Sequence, residues 1–279
     1  MGIFSKPVFT SNKKRELPAG LWTKCPGCEE IVHNLEIERN DSICPKCEHH
    51  FTLTAHARIA LLLDEGSFEE HDANLTSVDT LKFTGMASYT DRLKKYQKAT
   101  KMNDAVVTGL GAIDGKKVSI AVMDFRFLAA TMGSVVGEKI TRAIERATAQ
   151  KIPIIIVSAS GGARMYEGMF SLMQMAKTCG ALAYHAAAKL PYISVLTNPT
   201  TAGVMASYAS VGDIIMAEPN CMIGFAGPRV IRETTHQELP KGFQTAEFCL
   251  DHGLVDMIVH RKKMKEMLTG LIDYLGVKQ

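Results

Sequence analysis

Residues 152–164 read Ile-Pro-Ile-Ile-Ile-Val-Ser-Ala-Ser-Gly-Gly-Ala-Arg and carry the strongest fold signal in the chain. The apolar run Ile152–Val157 predicts a strand, which leads through a glycine turn into an amphipathic stretch. Such a turn presents unpaired N–H groups at the positive end of a helix, where an anion or an oxyanion binds. Alone it is a weak signal, because many α/β proteins have Gly-Gly turns for steric reasons. The apolar residues of the stretch predict core packing rather than a cofactor site: Met169, Leu172, Met173 and Met175.

The same pattern recurs further along the chain. The predicted strand Tyr192–Leu196 leads into Thr-Asn-Pro-Thr-Thr-Ala-Gly at 197–203, and then into a small-residue helix predicted over Val204–Ser210. Two such turns can direct two N–H groups at one carbonyl oxygen, the arrangement that stabilises an enolate. Arg164 can hold a phosphate or a carboxylate, although an ion pair with Glu167 is at least as well favoured.

Several common catalytic and nucleotide-binding motifs are missing from the sequence. The glycine turns lack the spacing of a P-loop and of a Rossmann fingerprint, and there is no nucleophile elbow, HExxH helix or carboxylate dyad. We interpret the isolated His185, His236 and His252 as structural. If the chain is an enzyme, it contributes positioning and backbone dipoles, while the substrate or a carried cofactor supplies the base.

Strands and helices alternate from about Asp104 onward, which predicts βαβ units with covered sheet faces. Further strands are predicted at Val118–Val122 and Asp213–Ala217, and a helix over 134–150 has its apolar residues on one face. A separate helix is predicted over 53–66. The predicted organisation is a polar tail over 1–21, a four-cysteine module over 22–52, a helical and polar connection over 53–103, and an α/β domain over 104–279.

Composition and charge limit the class of protein. Of the 279 residues, 46% are hydrophobic and 22% are charged, which is the globular range and excludes disorder as the main state. The net charge of +3 is too mild for a dedicated nucleic-acid or membrane-surface protein. No apolar run approaches the roughly 20 residues of a membrane helix, and the N-terminus has no signal-peptide core. A soluble cytoplasmic protein with no membrane partner is expected.

Four of the seven cysteines form two C-x-x-C pairs, Cys25–Cys28 and Cys44–Cys47, with 15 residues between them. Each pair makes a knuckle, and two knuckles supply the closed tetrahedral shell that structural zinc prefers. An iron–sulfur cluster, disulfides and free thiols are the alternatives. Ferredoxin spacing is tighter, a reducing compartment disfavours disulfides, and the duplicated spacing disfavours free thiols. The sequence also predicts that His33, His49 and His50 lie on the surface or contact the cysteine ligands without binding the metal. It predicts that Cys179, Cys221 and Cys249 are buried as small hydrophobic residues.

Five further motifs follow the four-cysteine module, and the series spans roughly residues 22–260. They are Met-Gly-Ser-Val-Val-Gly (132–137), Ser-Ala-Ser-Gly-Gly-Ala-Arg-Met (158–165), Ile-Gly-Phe-Ala-Gly-Pro-Arg-Val-Ile (223–231), Gly-Phe-Gln-Thr-Ala-Glu-Phe (242–248) and Gly-Leu-Val-Asp (253–256). In this order they closely resemble the carboxyltransferase β subunits of bacterial acetyl-CoA carboxylase. The last motif also resembles the crotonase superfamily generally.

The resemblance implies a crotonase (ClpP-like) ββα spiral core with an N-terminal zinc ribbon. It further implies transfer of a carboxyl group from carboxybiotin, tethered to a biotin carboxyl carrier protein, onto acetyl-CoA to give malonyl-CoA. In that family the biotin enolate left after CO2 release removes the α-proton, which agrees with the lack of a protein base in the motifs. The implied partners are a carboxyltransferase α subunit of the same fold, in an α2β2 assembly, and biotin carboxylase.

The resemblance also assigns site residues to the two glycine turns. The oxyanion candidates are Gly161, Gly162 and Ala163 in the first turn, and Ala202 and Gly203 in the second. The family pattern leads us to expect Gly-Gly in the second turn, where this chain has Ala-Gly, but a backbone N–H does not require glycine. Candidates for contacts with CoA or a carboxylate are Arg164 and Arg229.

Two rival functions stay open at this stage. A related carboxylase or decarboxylase would act on propionyl- or methylmalonyl-CoA. A nucleic-acid-binding zinc-ribbon protein would use the large domain as a scaffold, but the mild charge and the 7% aromatic content disfavour it. A weak RNA contact through the ribbon, next to the basic Lys13, Lys14 and Arg15, is compatible with the enzyme.

Overall fold

The computed structural model describes residues 20–85, 87–236 and 238–275, without the side chains of Pro228 and Arg229. The chain divides into two compact units, Met1–His49 and His50–Gln279. Residues 1–19 of the predicted tail over 1–21, which include the basic triplet, lie outside the described residues. None of the helices in the described ranges combines the length and the apolar character that crossing a bilayer requires.

The first unit is a small ribbon built around the cysteines. Strands β1 (Trp22–Lys24) and β2 (Ile31–His33) pair antiparallel, and helix α1 (Asn34–Arg39) follows. In each knuckle a backbone N–H donates to sulfur: Gly27 to Cys25 Sγ and Lys46 to Cys44 Sγ, both at 3.4 Å. The described apolar core of this unit is small, with Val32, Ile37 and Ile43 as its buried aliphatic side chains.

The described part of the second unit is built on an eight-stranded mixed sheet in the order β10-β8-β7-β6-β5-β4-β3, with β9 pairing β7. The strands from β5 to β10 pair in parallel, and β3-β4-β5 pair antiparallel. The strands are β3 (Glu69–His71), β4 (Val106–Ile113), β5 (Lys116–Met123), β6 (Ile154–Ser160), β7 (Tyr192–Thr201), β8 (Ile214–Ala217), β9 (Ile223–Gly224) and β10 (Met257–Ile258).

Helices alternate with these strands along the chain. The α-helices are α2 (Ala55–Leu62), α3 (Tyr89–Thr100), α4 (Ser134–Gln150), α5 (Met169–Ala187), α6 (Ala202–Met205), α7 (Pro228–Thr235), α8 (Ala246–Asp251) and α9 (Met264–Tyr274). Short 3-10 segments lie at Leu128–Ala130, Met165–Glu167, Tyr208–Ser210 and Arg261–Lys263.

Both faces of the sheet are covered, which is why its central strands read as continuous apolar runs. Along β6, Ile154 and Ile156 pack into a core with the apolar face of α4. The alternate residues Ile155 and Val157 pack into a second core with α2 and α9. The period-two alternation of strand side chains therefore divides one run between two cores. The predicted strands and the helix over 134–150 are confirmed.

The structure differs from the sequence-based expectations at two segments. Residues 53–103, expected as a helical and polar connection, contain the helix predicted over 53–66, which is confirmed as α2 and packs on the sheet, but β3 adds an unpredicted strand beside β4. The small-residue helix expected over Val204–Ser210 is divided between α6 and a 3-10 turn at Tyr208–Ser210. Ser207 lies between the two pieces at φ −133° and ψ −121°, outside the helical region.

Candidate active site

The two glycine turns meet at one edge of the sheet. Strands β6 and β7 are parallel neighbours, so both turns leave from their carboxyl ends, where ligands bind in open α/β sheets. A Cβ placed on Gly162 would lie 2.5 Å from the Cβ of Ala202, and one placed on Gly203 would lie 3.6 Å from the backbone N of Ala163. The structure thus brings together the two turns that the sequence analysis selected.

Most N–H groups of these turns already have acceptors. Gly161 donates to Ala129 O (2.9 Å), Gly162 donates to Ser160 Oγ (3.0 Å), and Ala202 donates to Phe225 O (2.9 Å). Within the described residues, the N–H groups of Ala163 and Gly203 have no acceptor. These two amides, one from each turn, are therefore the donors that remain for an external oxygen.

The direction of the Ala163 amide is set by its neighbours. Met132 N–H donates to Gly162 O (2.7 Å), and Met132 O accepts from Arg164 N–H (2.9 Å). This parallel bridge holds the peptides on both sides of Ala163 and leaves its own N–H pointing away from Met132.

Gly162 is required by both conformation and space. Its φ of +111° lies where only glycine is readily accommodated, and a side chain there would collide with the Cβ of Ala202. Ala202 itself has φ +50°, a left-handed conformation that suits the glycine we expected at this position of the second turn.

Gly162→Ala is expected to destabilise the large unit by about 3 kcal/mol or more, because it adds strain and overpacking together. Denaturant unfolding measures this effect. The matched control is Gly161→Ala, since Gly161 has no positive φ and a Cβ there would have 3.6 Å of clearance. The free energy of unfolding of the control should lie within about 0.5 kcal/mol of that of the unmodified chain. Equal losses in the two variants would contradict the role assigned to Gly162.

The position of Arg164 corrects one prediction. Its side chain is 1% exposed, and Nη2 donates to Asp104 Oδ1 at 2.6 Å, so it is not placed to contact CoA or a substrate carboxylate. Burial opposes ionisation of Asp104, but the guanidinium outweighs burial and holds the pKa of this carboxyl below its usual value. The alternative ion pair with Glu167 is confirmed at 3.3 Å. The side chain of Arg229, the other candidate, lies outside the described residues.

The Met-rich stretch also corrects a prediction. Met169, Leu172 and Met173 were expected to pack in the core, but they are exposed on the first turns of α5, and only Met175 packs partly against the core. Exposed apolar patches of this kind mark interaction surfaces. We define the α5 apolar face by five exposed residues, Met165 in the 3-10 segment just before the helix and Met169, Phe170, Leu172 and Met173 on α5 itself.

A second buried ionic cluster surrounds Glu218, which directly follows β8. Arg261 donates to both oxygens of this carboxylate at 2.8 Å, and Arg58 pairs with the same group. Burial raises the pKa of Glu218, but the two guanidinium groups outweigh burial, and the pKa lies well below its ordinary value. None of the sequence motifs marks this cluster, whose local signal is a carboxylate at the end of an apolar strand.

The structural role predicted for His185 agrees with its contacts. Its Nδ1 lies 2.9 Å from Thr148 Oγ1 and its Nε2 lies 3.2 Å from Pro191 O, so both ring nitrogens are engaged. Burial lowers the pKa of this histidine. Cys221 and Cys249 are buried as predicted, whereas Cys179 is half-buried.

The ribbon sulfurs fit a structural zinc ion. The Sγ atoms of Cys25, Cys28, Cys44 and Cys47 all lie within 4.8 Å of one another. Tetrahedral zinc with Zn–S bonds of about 2.3 Å requires sulfurs roughly 3.8 Å apart. The observed Sγ–Sγ distances are 3.6 Å for Cys25–Cys47 and 3.9 Å for Cys28–Cys44. Four protein ligands complete the tetrahedral shell, so the ion has a structural role.

Comparisons with known proteins agree with this arrangement. Residues 50–268 match the carboxyl transferase domain family, and residues 22–47 match the acetyl-CoA carboxylase zinc finger domain. The acetyl-coenzyme A carboxylase carboxyl transferase subunit beta of Methylacidiphilum infernorum is 57% identical over 271 residues, which cover 97% of this chain and 98% of the relative. The corresponding subunit of Opitutus terrae is 56% identical and covers 100% and 97%.

Solved structures confirm the predicted fold class, an α/β crotonase-like core. A transcarboxylase 12S structure with methylmalonyl-coenzyme A bound has a TM-score of 0.68 and 26% identity over 79% of this chain. This chain spans only 40% of the length of that protein. A Pseudomonas malonate decarboxylase hetero-tetramer has a TM-score of 0.65 over 80% of this chain at 23% identity, which shows the fold alone. With the carboxyl transferase match and near-full-length relatives at 56–57% identity, the chain belongs to the family of acetyl-CoA carboxylase carboxyl transferase beta subunits.

Proposed function

We propose that the chain is a cytoplasmic carboxyltransferase subunit that helps move a carboxyl group from carboxybiotin to acetyl-CoA, giving malonyl-CoA for fatty acid synthesis. The single observation that carries the proposal is the pair of unpartnered amides, Ala163 N–H and Gly203 N–H, at the edge where the two turns meet. Carboxybiotin, delivered on a carrier protein, would release CO2 when its N–C bond breaks, and the biotin enolate left behind would take the methyl proton of acetyl-CoA. The acetyl-CoA enolate would then form the new C–C bond to CO2, giving malonyl-CoA and biotin.

The two amides would hold the thioester oxygen of acetyl-CoA. When the methyl group loses a proton, negative charge develops on that oxygen, and both hydrogen bonds become stronger. Gly203 is buried and Ala163 is half-buried, so the site is largely shielded from water, where such dipoles act most strongly. Because β6, β7 and the Met132 bridge hold the donors in place, little reorganisation is needed during the reaction.

The partner proposal rests on the α5 apolar face, which begins two residues after Ala163. An exposed apolar surface next to the amides suits a protein partner that completes the site. We propose that a carboxyltransferase α subunit covers it in an α2β2 assembly, to which biotin carboxylase and the biotin carboxyl carrier protein deliver the carboxyl group. A weak RNA contact by the ribbon is a further proposal, supported by the half-exposed Trp22 as a stacking surface.

The chain alone is expected to show negligible carboxyl transfer, because one crotonase-type subunit offers a place for CoA but not for biotin. Malonyl-CoA formation is assayed with the purified chain, with and without the α subunit, using biotin or carboxylated carrier. Activity that appears only on mixing supports the proposal. Full activity of the chain alone at high dilution would contradict it, and a strong preference for propionyl-CoA would favour the rival carboxylase.

A further inference from the structure

Arg164 directly follows the proposed donor Ala163, and its guanidinium lies in a closed polar cluster. Nη2 donates to Asp104 Oδ1 (2.6 Å) and to Thr131 O (2.9 Å), while Nη1 donates to Tyr89 Oη (3.0 Å). Ser77 Oγ in turn donates to Asp104 Oδ2 at 2.6 Å. This cluster therefore joins the first turn to segments that lie far from it in sequence.

Glu167 extends the cluster to the start of α4. Its Oε1 accepts from Tyr89 Oη (2.5 Å), and its Oε2 accepts from Ser134 N–H (2.6 Å). Burial raises the pKa of Tyr89, so this hydroxyl stays neutral and keeps its proton for Glu167. Thr131 and Ser134, which lie on either side of Met132 and Gly133, are thus both held by the same buried ionic group.

Met132 is the residue whose N–H and C=O bracket Ala163. A shift of the 131–134 segment would turn both peptides that flank Ala163, and with them the free N–H. We infer that Arg164, with Asp104 and Glu167, is a positioning group that aims the Ala163 amide at the oxygen shared with Gly203. The inference rests on the proposed function, since it names what fixes one of the two proposed donors.

The cluster is better suited to fixing the geometry of the first turn than to stabilising the fold. A buried ion pair gains little net free energy compared with a well-packed apolar replacement. The planar guanidinium, however, satisfies several acceptors at fixed angles, which an ammonium group does not reproduce. Nη1 and Nη2 donate to five acceptor atoms, two on Asp104 and one each on Thr131, Tyr89 and Ser77, four of them at 2.9–3.1 Å and one at 2.6 Å.

The test is Arg164→Lys in the complete enzyme assembled with its α subunit. We expect kcat to fall by up to about 10²-fold, the cost of a displacement of about 1 Å. The Kd for acetyl-CoA should change by no more than a few-fold, because the two amides act mainly on charge that develops in the transition state. Glu167→Gln, which weakens the links to Ser134, Tyr89 and Arg164 but keeps the Arg164–Asp104 pair, should give a smaller loss of the same kind.

The chain offers a matched control in Arg261→Lys. Arg261 is 5% exposed and bonds Glu218 through two nitrogens, so its loss should affect stability as much as that of Arg164. The described hydrogen bonds of Arg261 run to Glu218 and to Phe51 O, outside both glycine turns, so kcat should change less than about two-fold. Equal kcat in both lysine variants, measured on assembled protein, would overturn the inference. If Arg164→Lys does not assemble, Glu167→Gln decides by the same criterion.

Failure of this inference is distinguishable from failure of the proposed function. If Ala163→Pro lowers kcat but Arg164→Lys and Glu167→Gln do not, the amide acts without the cluster, and only the positioning role is wrong. If none of the three variants lowers kcat, the donor role itself is wrong and the inference falls with it.

Discussion

Ala163→Pro is expected to lower kcat for malonyl-CoA formation by about 10²–10³-fold, the usual cost of deleting one oxyanion-hole donor. The substitution removes an N–H that has no acceptor in the described structure, so no structural hydrogen bond is lost with it. The KM for acetyl-CoA should rise much less, because the charge on the thioester oxygen develops only in the transition state. Steady-state kinetics on the assembled enzyme measure both constants.

The equivalent change in the second turn is less clean. A Cβ at Gly203 would lie 3.3 Å from both Ala163 Cβ and Met175 Sδ, so Gly203→Pro adds crowding as well as deleting a donor. Ala202→Gly is the control, since the Ala202 N–H already donates to Phe225 O and glycine suits the left-handed φ. That variant should turn over almost as the unmodified chain does. The proline variants are informative only if they retain zinc content, assembly with the α subunit and CoA binding. Proline variants that assemble normally and turn over within a few-fold would show that the turns are structural.

Cys28→Ala is expected to abolish zinc binding and to unfold the ribbon. The described ribbon buries only a few aliphatic side chains, and units of this size seldom fold without a metal or disulfides. Structural zinc supplies on the order of 10–16 kcal/mol in comparable modules. Metal analysis and circular dichroism measure the loss, and a chelator should reproduce it. The variant should lose association with the α subunit to a greater extent than it changes the chemistry carried out by the large unit.

Cys179→Ala controls for the loss of a thiol as such. Cys179 is half-buried on α5 and lies outside the four-sulfur cluster, so its variant should keep one zinc per chain. Fresh unmodified protein that contains iron, or less than half an equivalent of zinc, would contradict the assignment. A Cys28→Ala protein that retains zinc and a folded ribbon would do the same.

Several features of the molecule were predictable because their causes are local. The C-x-x-C spacing places two thiolates on one knuckle whatever follows it, and the four sulfurs do converge. The apolar period of residues 134–150 matches the bounds of α4, since one helix face must be buried. The motif order was enough to indicate the family, which the matches along nearly the whole chain bear out.

Other features depend on partners that are distant in sequence. The apolar residues at the start of α5 have the period of a core-facing helix, yet Met169 and Met173 face outward. Hydrophobic pattern alone does not distinguish a face buried within the chain from one that is left for another protein. Likewise, residues 67–103 are polar, but Glu69–His71 still form strand β3 and pair with β4.

The amide pair shows most clearly which features follow from local sequence and which depend on the tertiary structure. From the sequence alone, a strand followed by Gly-Gly-Ala and another followed by Ala-Gly indicated two turns with exposed N–H groups, because strand and glycine preferences act over a few residues. The tertiary structure decides which of these N–H groups stay free. The N–H groups of Gly161 and Ala202 are bonded to the carbonyls of Ala129 and Phe225, which lie elsewhere in the sequence. For the same reason Arg164 is buried rather than exposed: the carboxylate that pairs with it, Asp104, lies 60 residues earlier and is brought beside it only by the tertiary fold.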